Sequence, residues 1–275
     1  MGSKLCLSFF RKIVSKILLP PRWILHHFNA LESTNDTAKT FYSTHHETLS
    51  EKQVHVFWAD YQTKGRGRMG RVWDSPEGNL YVTFLFPRLC CAWSNLSQFS
   101  FVIGVALHKT LLSIFPEEKP LFRLKWPNDM LANEAKIAGI LLETDTHLQE
   151  TPWVVAGVGV NLSSFPDGLP YPATSLFSVT GHFLPPECFL ESFTKKLDKT
   201  WHSFKEHGFL FIRKYWMKYA AFLRQEITIQ LPHEKLHGVF KEIDQDGNLI
   251  LGEGAKKRVI FSGEILFDAS PHLIR

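Results

Sequence analysis

Short apolar runs bounded by polar and turn-forming residues recur along most of this chain, alternating with longer stretches of helical texture. Val54–Ala59 and Asn79–Phe86 are dense in apolar residues, the second in aromatic and β-branched ones, which predicts two buried strands. Leu121–Lys125, Ile137–Glu143 and Trp153–Asn161 repeat that texture and predict three more. Ser33-Thr34-Asn35-Asp36 places capping residues ahead of Thr37-Ala38-Lys39 and the apolar pair Phe41-Tyr42, the pattern of a helix start. Gln98–Phe115 is apolar on every side at helical length, so the helix it predicts is a buried one. Residues 187–206 and 209–223 predict two further helical stretches.

Near Arg224 the texture changes. Ile227-Thr228-Ile229-Gln230-Leu231, Gly238-Val239-Phe240, Leu249-Ile250-Leu251 and Arg258-Val259-Ile260-Phe261 are short strands separated by turn residues, Asp246-Gly247-Asn248 among them. Strands this short and closely spaced predict a small β-barrel rather than a continuation of the mixed part. The expected architecture is α+β, with residues 25–223 as a mixed sheet with helices and residues 224–275 as a small C-terminal β-barrel. Residues 1–24 read as a short packing or loose segment. Arg11, Lys12 and Lys16 break its apolar run and no small-residue cleavage site follows, which argues against a signal peptide or membrane span. Cys6 stands where a myristoylation signal needs Ser or Thr.

Composition narrows the classes. With 275 residues and 44% hydrophobic content, the chain suits one large domain or a medium one plus a small one. A formal charge of +4 fits anionic substrates or an acidic partner and is too weak to argue for nucleic acid. Cys6, Cys90, Cys91 and Cys188 form no CxxC pair, and buried free thiols in a reducing cytosol are the simplest reading. The 13 histidines include the doublets His26-His27 and His45-His46 but no HExxH, so no metal site built from protein ligands is expected.

Four segments carry candidate chemistry. In Gly65-Arg66-Gly67-Arg68-Met69-Gly70-Arg71 the glycines allow positive φ and close backbone approach, and the arginines offer fork-shaped donors for carboxylate or phosphate oxygens. A strand follows through Trp73-Asp74-Ser75-Pro76, so this is no dinucleotide fingerprint, and no Gly-Lys-Ser/Thr makes it a Walker A loop. By itself it fits a solvated turn or an RNA-contacting segment as well as a catalytic loop. Lys125-Trp126-Pro127-Asn128-Asp129 clusters a lysine, an amide and a carboxylate at a strand end, or forms a surface turn with a Lys–Asp contact. Lys136 opens the apolar run Ile137–Leu142, where a lone lysine is usually an edge charge reaching for water. Gly157 and Gly159, alternating in Ala156–Leu162, leave room for a ligand or for another backbone.

The order of these segments is more specific than any one of them. Ser33-Thr34-Asn35, then Tyr61-Gln62 and Gly65-Arg66-Gly67-Arg68, then Lys125–Asp129, Lys136–Leu141 and Gly157–Leu162 resembles the biotin–protein ligase family, from about Leu25 to the C-terminus. Gly238-Val239-Phe240, Ile243-Asp244 and Ser262-Gly263-Glu264-Ile265 resemble that family's C-terminal SH3-like domain. The resemblance implies a catalytic domain like that of biotin ligases and class II aminoacyl-tRNA synthetases. It implies an ATP-dependent enzyme that makes biotinyl-5′-AMP and transfers biotin to a lysine of a biotin carboxyl carrier domain, of acetyl-CoA carboxylase or a related carboxylase. Residue by residue, it implies biotin contacts from Ser33, Thr34, Asn35, Gln62, Gly65, Arg66, Gly67, Arg68 and Lys136. The nucleotide falls to Arg68, Arg71, Trp73, Lys125, Asn128, Lys136 and Asn161, with Mg²⁺ entering on ATP. Lys136, Arg68, Asp129 and Lys125 are the implied catalytic residues, with Asp129 placed to receive the acceptor lysine.

Met69 departs from the polar or basic residue that relatives often carry, a change expected to be harmless. The matching region starts near Leu25, too early for the winged helix-turn-helix of repressor-type members, so a biotin-responsive DNA-binding regulator is disfavoured. A lipoate or octanoate ligase or transferase of the same superfamily lacks the Gly-Arg-Gly-Arg loop combined with Lys-Trp-Pro-Asn-Asp, and is the lesser alternative. A cytoplasmic enzyme without nucleic-acid or membrane partners is expected, as a monomer or a homodimer.

Overall fold

The computed structural model describes residues 17–87, 96–118, 121–144, 153–254 and 256–267. The larger sheet has seven strands: β1 (Trp23–Leu31), β2 (Val54–Gln62), β3 (Leu80–Phe86), β4 (Phe122–Lys125), β5 (Asp129–Ala132), β6 (Ala135–Glu143) and β7 (Val154–Val160). Their spatial order is β1-β2-β3-β7-β6-β5-β4, with β1 and β2 parallel and every other neighbouring pair antiparallel. The glycine-bearing strand β7 therefore lies at the centre, between β3 and β6.

The period of two in these strands decides which face becomes core. Val82, Phe84 and Phe86 of β3 point into the main apolar cluster, while Leu85 joins a second cluster on the opposite face. Two helices cover the main cluster, α2 (Leu96–Ile114) and α4 (Pro186–Lys218); the short α3 (Leu176–Thr180) adds Leu176 to it, and α1 (Thr34–His45) lies elsewhere. Phe84 meets Phe193 edge-on at 5.5 Å, and Phe99 meets Phe86 at 4.8 Å and Trp201 at 5.1 Å. Truncating a fully buried ring such as Phe84 would cost about 3–5 kcal/mol. α2 is apolar and long enough to cross a membrane, but 72% of Ser97–Ile114 is buried, as befits the predicted core helix.

α1 packs on the other face, its Ala38 and Tyr42 against Phe57, Leu85, Trp153 and Val155. Ser33 caps it, the Oγ accepting from Asp36 N at 3.4 Å, so the predicted helix start is where the helix begins. The two predicted C-terminal helical stretches are one run, Pro186–Lys218, with Gly208 at φ 71° between them. That run ends at Lys218, not at residue 223. Tyr219 O accepts from Leu124 N at 2.8 Å and Ala221 N donates to Leu124 O at 2.7 Å, so edge pairing with β4 claims groups that a continued helix would need.

The C-terminal strands β8 (Glu226–Gln230), β9 (Lys235–Ile243), β10 (Leu249–Glu253), β11 (Lys256–Ile260) and β12 (Glu264–Ile265) form one antiparallel sheet ordered β11-β10-β9-β8-β12. Ile229, Phe240, Ile243, Leu249 and Leu251 are fully buried in it. Asp244 Oδ1 accepts from the Asp246 and Asn248 amides at 2.9 and 2.8 Å, and Gly247 completes the turn at φ 94°.

Sequence reading had missed β1, β5, α3 and β12. β1 carries His26, His27 and Asn29, which hide its pattern, and β12 spans two residues. One expectation is corrected: Cys188 is an exposed thiol near the start of α4, not a buried one. Burial, then Glu187 and Glu191, push its pKa upward. Cys6, Cys90 and Cys91 lie outside the described residues.

Candidate active site

The face of the large sheet not covered by α2 and α4 holds a cleft. One end is walled by the start of α1 and the end of β2, through Ser33, Thr34, Asn35 and Gln62. The loop after β2 supplies Arg66, Gly67, Arg68, Arg71 and Trp73, the β4–β5 turn and the start of β5 supply Asn128 and Asp129, and β6 supplies Lys136.

A chain of hydrogen bonds fixes the first end. Gln62 Oε1 accepts from Thr34 N at 2.8 Å and from Thr34 Oγ1 at 3.0 Å, while Gln62 Nε2 donates to Ser75 Oγ at 3.0 Å. Thr83 Oγ1 lies 2.6 Å from Asn35 Oδ1 and 2.8 Å from Thr34 Oγ1, and its single proton serves one of them at a time. Asn35 Nδ2 donates to Glu143 Oε2 at 2.6 Å. Each side chain is held by a neighbour from a different element, which presets a polar surface for a ligand with both donors and acceptors.

The two central glycines serve side chains here. A Cβ on Gly157 would collide with the Asn35 carboxamide, and one on Gly159 would stand 2.5 Å from the Trp73 indole nitrogen. The neighbours that need this room are side chains, not another backbone, and both glycines line the cleft. Of the glycines in the loop only Gly70 takes positive φ, at 72°, and its neighbour Met69 shares that conformation at 56°. Gly65 is needed for close approach instead, since a Cβ there would strike Trp73 O and Ser75 Oγ.

The loop arginines are each engaged. Arg66 forks onto Asp36 at 2.8 and 2.7 Å and approaches Glu143 at 3.4 Å. Arg68 Nη1 donates to Asn128 Oδ1 at 3.2 Å and to Gly263 O at 3.3 Å. Arg71 pairs with Glu264. Burial lowers the Arg68 pKa, while Asp36 and Glu264 raise those of Arg66 and Arg71 respectively.

Asp129 is the hub of the opposite wall. Lys136 Nζ stands 2.7 Å from its Oδ1, off the line of a well-aligned hydrogen bond, so the contact is an ion pair. Lys125 Nζ lies 3.9 Å from its Oδ2. The Lys125 side chain is only 1% exposed and has no hydrogen-bond partner among the described residues, and burial pushes its pKa down to about 8 against the upward pull of Asp129. The surface-turn alternative for Lys125–Asp129 is thereby set aside, and Lys136, far from reaching for water, pairs inward.

Most predicted residues meet in this one cleft, with three exceptions. Gly65 and Lys125 stand behind its wall. Asn161 lines an adjoining apolar recess shared with Trp73, Lys136 and Tyr171, its Nδ2 donating to Thr174 O at 3.1 Å. Tyr171, Glu143 and Glu264 were missed as site residues. Tyr171 sits in a Pro-rich loop, and Glu143 reads as a polar strand end, so neither carries a sequence signal beyond its position. Glu264 stood within a quoted C-terminal motif, but nothing local to it pointed to Arg71.

The model for the biotin/lipoate A/B protein ligase family matches residues 28–161, and that for the biotin protein ligase C terminal domain matches residues 222–268. Over 212 residues the chain is 36% identical to a biotin–[acetyl-CoA-carboxylase] ligase of Paracoccus denitrificans, covering 75% of this chain and 87% of that protein. It is 31% identical over 239 residues to the bifunctional ligase/repressor BirA of Bacillus subtilis, covering 84% and 71%. Among solved structures, the biotin protein ligase of Aquifex aeolicus in complex with biotin and ATP matches with a TM-score of 0.74 at 28% identity, covering 88% of this chain and 97% of that one.

Proposed function

This chain belongs to the biotin/lipoate A/B protein ligase family as a biotin–protein ligase, and from that premise we propose how its cleft divides the reaction. The enzyme joins biotin and ATP into biotinyl-5′-AMP with release of pyrophosphate. A lysine amine of a carboxyl carrier protein then attacks the biotinyl carbonyl and AMP leaves.

Biotin's ureido ring carries one carbonyl acceptor and two N–H donors, and the preset surface of Thr34, Asn35 and Gln62, with Ser33 behind it, offers matching groups. Its carboxylate must reach the α-phosphate, which brings two anions together. Arg68 and Lys136 offset that repulsion and stabilise charge on the phosphoryl oxygens, aided by Lys125, Asn128 and Arg71. Trp73, Tyr171 and Asn161 line the recess beside Lys136 and suit the adenine. The loop from Gly65 through Arg66 and Gly67 folds over the mixed anhydride and keeps water from it until the carrier docks. Asp129 orients the acceptor ammonium and takes its proton.

Magnesium, bound with the nucleotide, would supply charge neutralisation at the phosphates. The carboxylates nearest the nucleotide end, Asp129 and Glu264, are already held by Lys136 and Arg71, so phosphate oxygens and water would make up most of its shell. The carrier we favour is a subunit of acetyl-CoA carboxylase or a related carboxylase, modified in the cytoplasm. Residues 25–223 carry the chemistry in this reading, and residues 224–275 brace the loop.

The observation that carries the mechanism is the convergence of the Thr34–Gln62 surface, Arg68 and the Lys136–Asp129 pair on one cleft. ATP–pyrophosphate exchange run separately with biotin, lipoate and octanoate tests it. Biotin should stimulate exchange; stimulation by lipoate and not by biotin would overturn the reading.

A further inference from the structure

A buried lysine without hydrogen bonds needs something to hold its charge. Among the described residues Lys125 Nζ, with three donors, has no hydrogen-bond acceptor, and the nearest carboxylate oxygen is Asp129 Oδ2 at 3.9 Å. What it does meet is an aromatic face, the Phe267 ring, whose centroid lies 3.8 Å away. Phe267 belongs to the segment after β12, in the C-terminal unit, and that segment is pinned one residue earlier by Leu266 N donating to Thr228 O at 2.8 Å. The ring itself is steered by Tyr171, stacked at 6.1 Å, and by Phe222, edge-on at 6.3 Å. A cation centred on a ring at this distance is attracted by the ring quadrupole, most strongly when water is excluded.

We propose that Phe267 is a positioning residue: its ring holds the Lys125 ammonium in place behind the β4–β5 turn, so the C-terminal unit helps to set a cation of the adenylating cleft. This rests on the reading above, in which Lys125 serves the phosphates. The groups that bear on the Lys125 charge are Asp129 on β5, Lys136 on β6, Glu264 on β12 and Arg71 on the loop. Asp129 and Glu264 favour the ammonium, while burial, Lys136 and Arg71 oppose it. Phe267 therefore does two opposed things, attracting the cation through its π face and excluding water by its bulk.

That opposition gives a test which packing alone would not pass. Full-length protein labelled with ¹³C at the lysine ε-carbon is titrated by NMR, and the Lys125 signal is identified by its loss in Lys125→Met. Phe267→Leu keeps the bulk and removes the π face, so the titration midpoint should fall by about 0.4–1.5 pH units. Phe267→Ala admits water, so the midpoint should rise. Phe267→Tyr should leave it near its starting value. Midpoints that do not move, or that move the same way for Leu and Ala, would overturn the proposal and leave Phe267 as packing. In pyrophosphate exchange at a pH between the lowered and the original midpoint, Phe267→Leu should raise the KM for ATP, and it should add nothing to Lys125→Met. An unaltered protein without biotin-dependent exchange would overturn the proposed function, while the titration would still decide the Phe267 contact.

Discussion

Arg71 and Glu264 form a two-pronged ion pair, Nη1 to Oε1 at 3.0 Å and Nη2 to Oε2 at 2.8 Å, across 193 positions of sequence. Beside it Arg68 donates to the carbonyl of Gly263. Two arginines of the glycine-rich loop are thus anchored on consecutive residues of the C-terminal unit. A loop braced this way is held near the cleft by part-exposed contacts outside the hydrophobic core.

Glu264→Gln should loosen that brace while sparing the fold. The pair is part-exposed, Arg71 at 42% and Glu264 at 20%, so its loss should cost stability about 1 kcal/mol or less. The expected cost is functional: faster escape of biotinyl-5′-AMP from the enzyme and a higher KM for ATP. Gel-filtration trapping of the labelled adenylate measures the first, and retention equal to that of the unaltered protein would show that the loop closes without Glu264.

Lys136→Ala removes the partner of Asp129 and one cation of the adenylating site. If Lys136 stabilises the reacting phosphate, adenylate formation should slow by about 10²–10³, as when other oxyanion donors are removed. Single-turnover formation of biotinyl-5′-AMP reads the rate, and circular dichroism reads the fold. Undiminished adenylation by a folded variant would remove Lys136 from the chemistry.

How far sequence reached depends on the range of each interaction. The N-cap at Ser33, the strand at β7 and the break at Gly208 follow from residues within a turn or two, and all were legible. The order of the site segments was legible as well. Partners distant in sequence were not: Glu143 reads as a polar strand end, yet in space it accepts from Asn35 and Lys39 and draws in Arg66. Gly157 and Gly159 announced missing side chains without saying that Asn35 and Trp73 would fill the gaps. A pattern of small residues records that something approaches, and only the register of β3, β7 and β6 determines what.

Gly159→Ala turns that register into a prediction. The added methyl would stand 2.5–2.9 Å from three indole atoms of Trp73, in the middle of a sheet that cannot yield. Overpacking of this kind costs about 1–3 kcal/mol, and here the movable partner is Trp73. Displacement of the indole should raise the KM for ATP more than the Kd for biotin and should change tryptophan fluorescence. Equal weakening of both ligands would mean that Trp73 does not belong to the nucleotide end.

Acid should destabilise the protein well before its carboxylates titrate. His55 lies under α1, with its Nδ1 3.0 Å from His26 Nε2, and His45 and Phe41 of α1 face the pair. Burial first, then the charges of His26 and His45, lower the His55 pKa to about 4, and burial brings His108 on the far side of the sheet to about 4. Above pH 6.5 these imidazoles are neutral whether the chain is folded or not, and they add no pH dependence. Between about 6.5 and 4 the unfolded chain binds protons that the folded one refuses, so stability falls as pH falls, by up to about 1.4 kcal/mol per pH unit for each proton. The pKa of Asp36 is lowered by Arg66 and Lys39 against the opposing effect of burial, so its contribution is lost only in more acid solution and the two windows separate. Melting temperatures should stay level from about pH 7.5 to about 6.5 and decline below it, and His55→Asn should flatten part of that decline. Parallel declines in the two proteins would show that His55 is not among the groups that resist protonation.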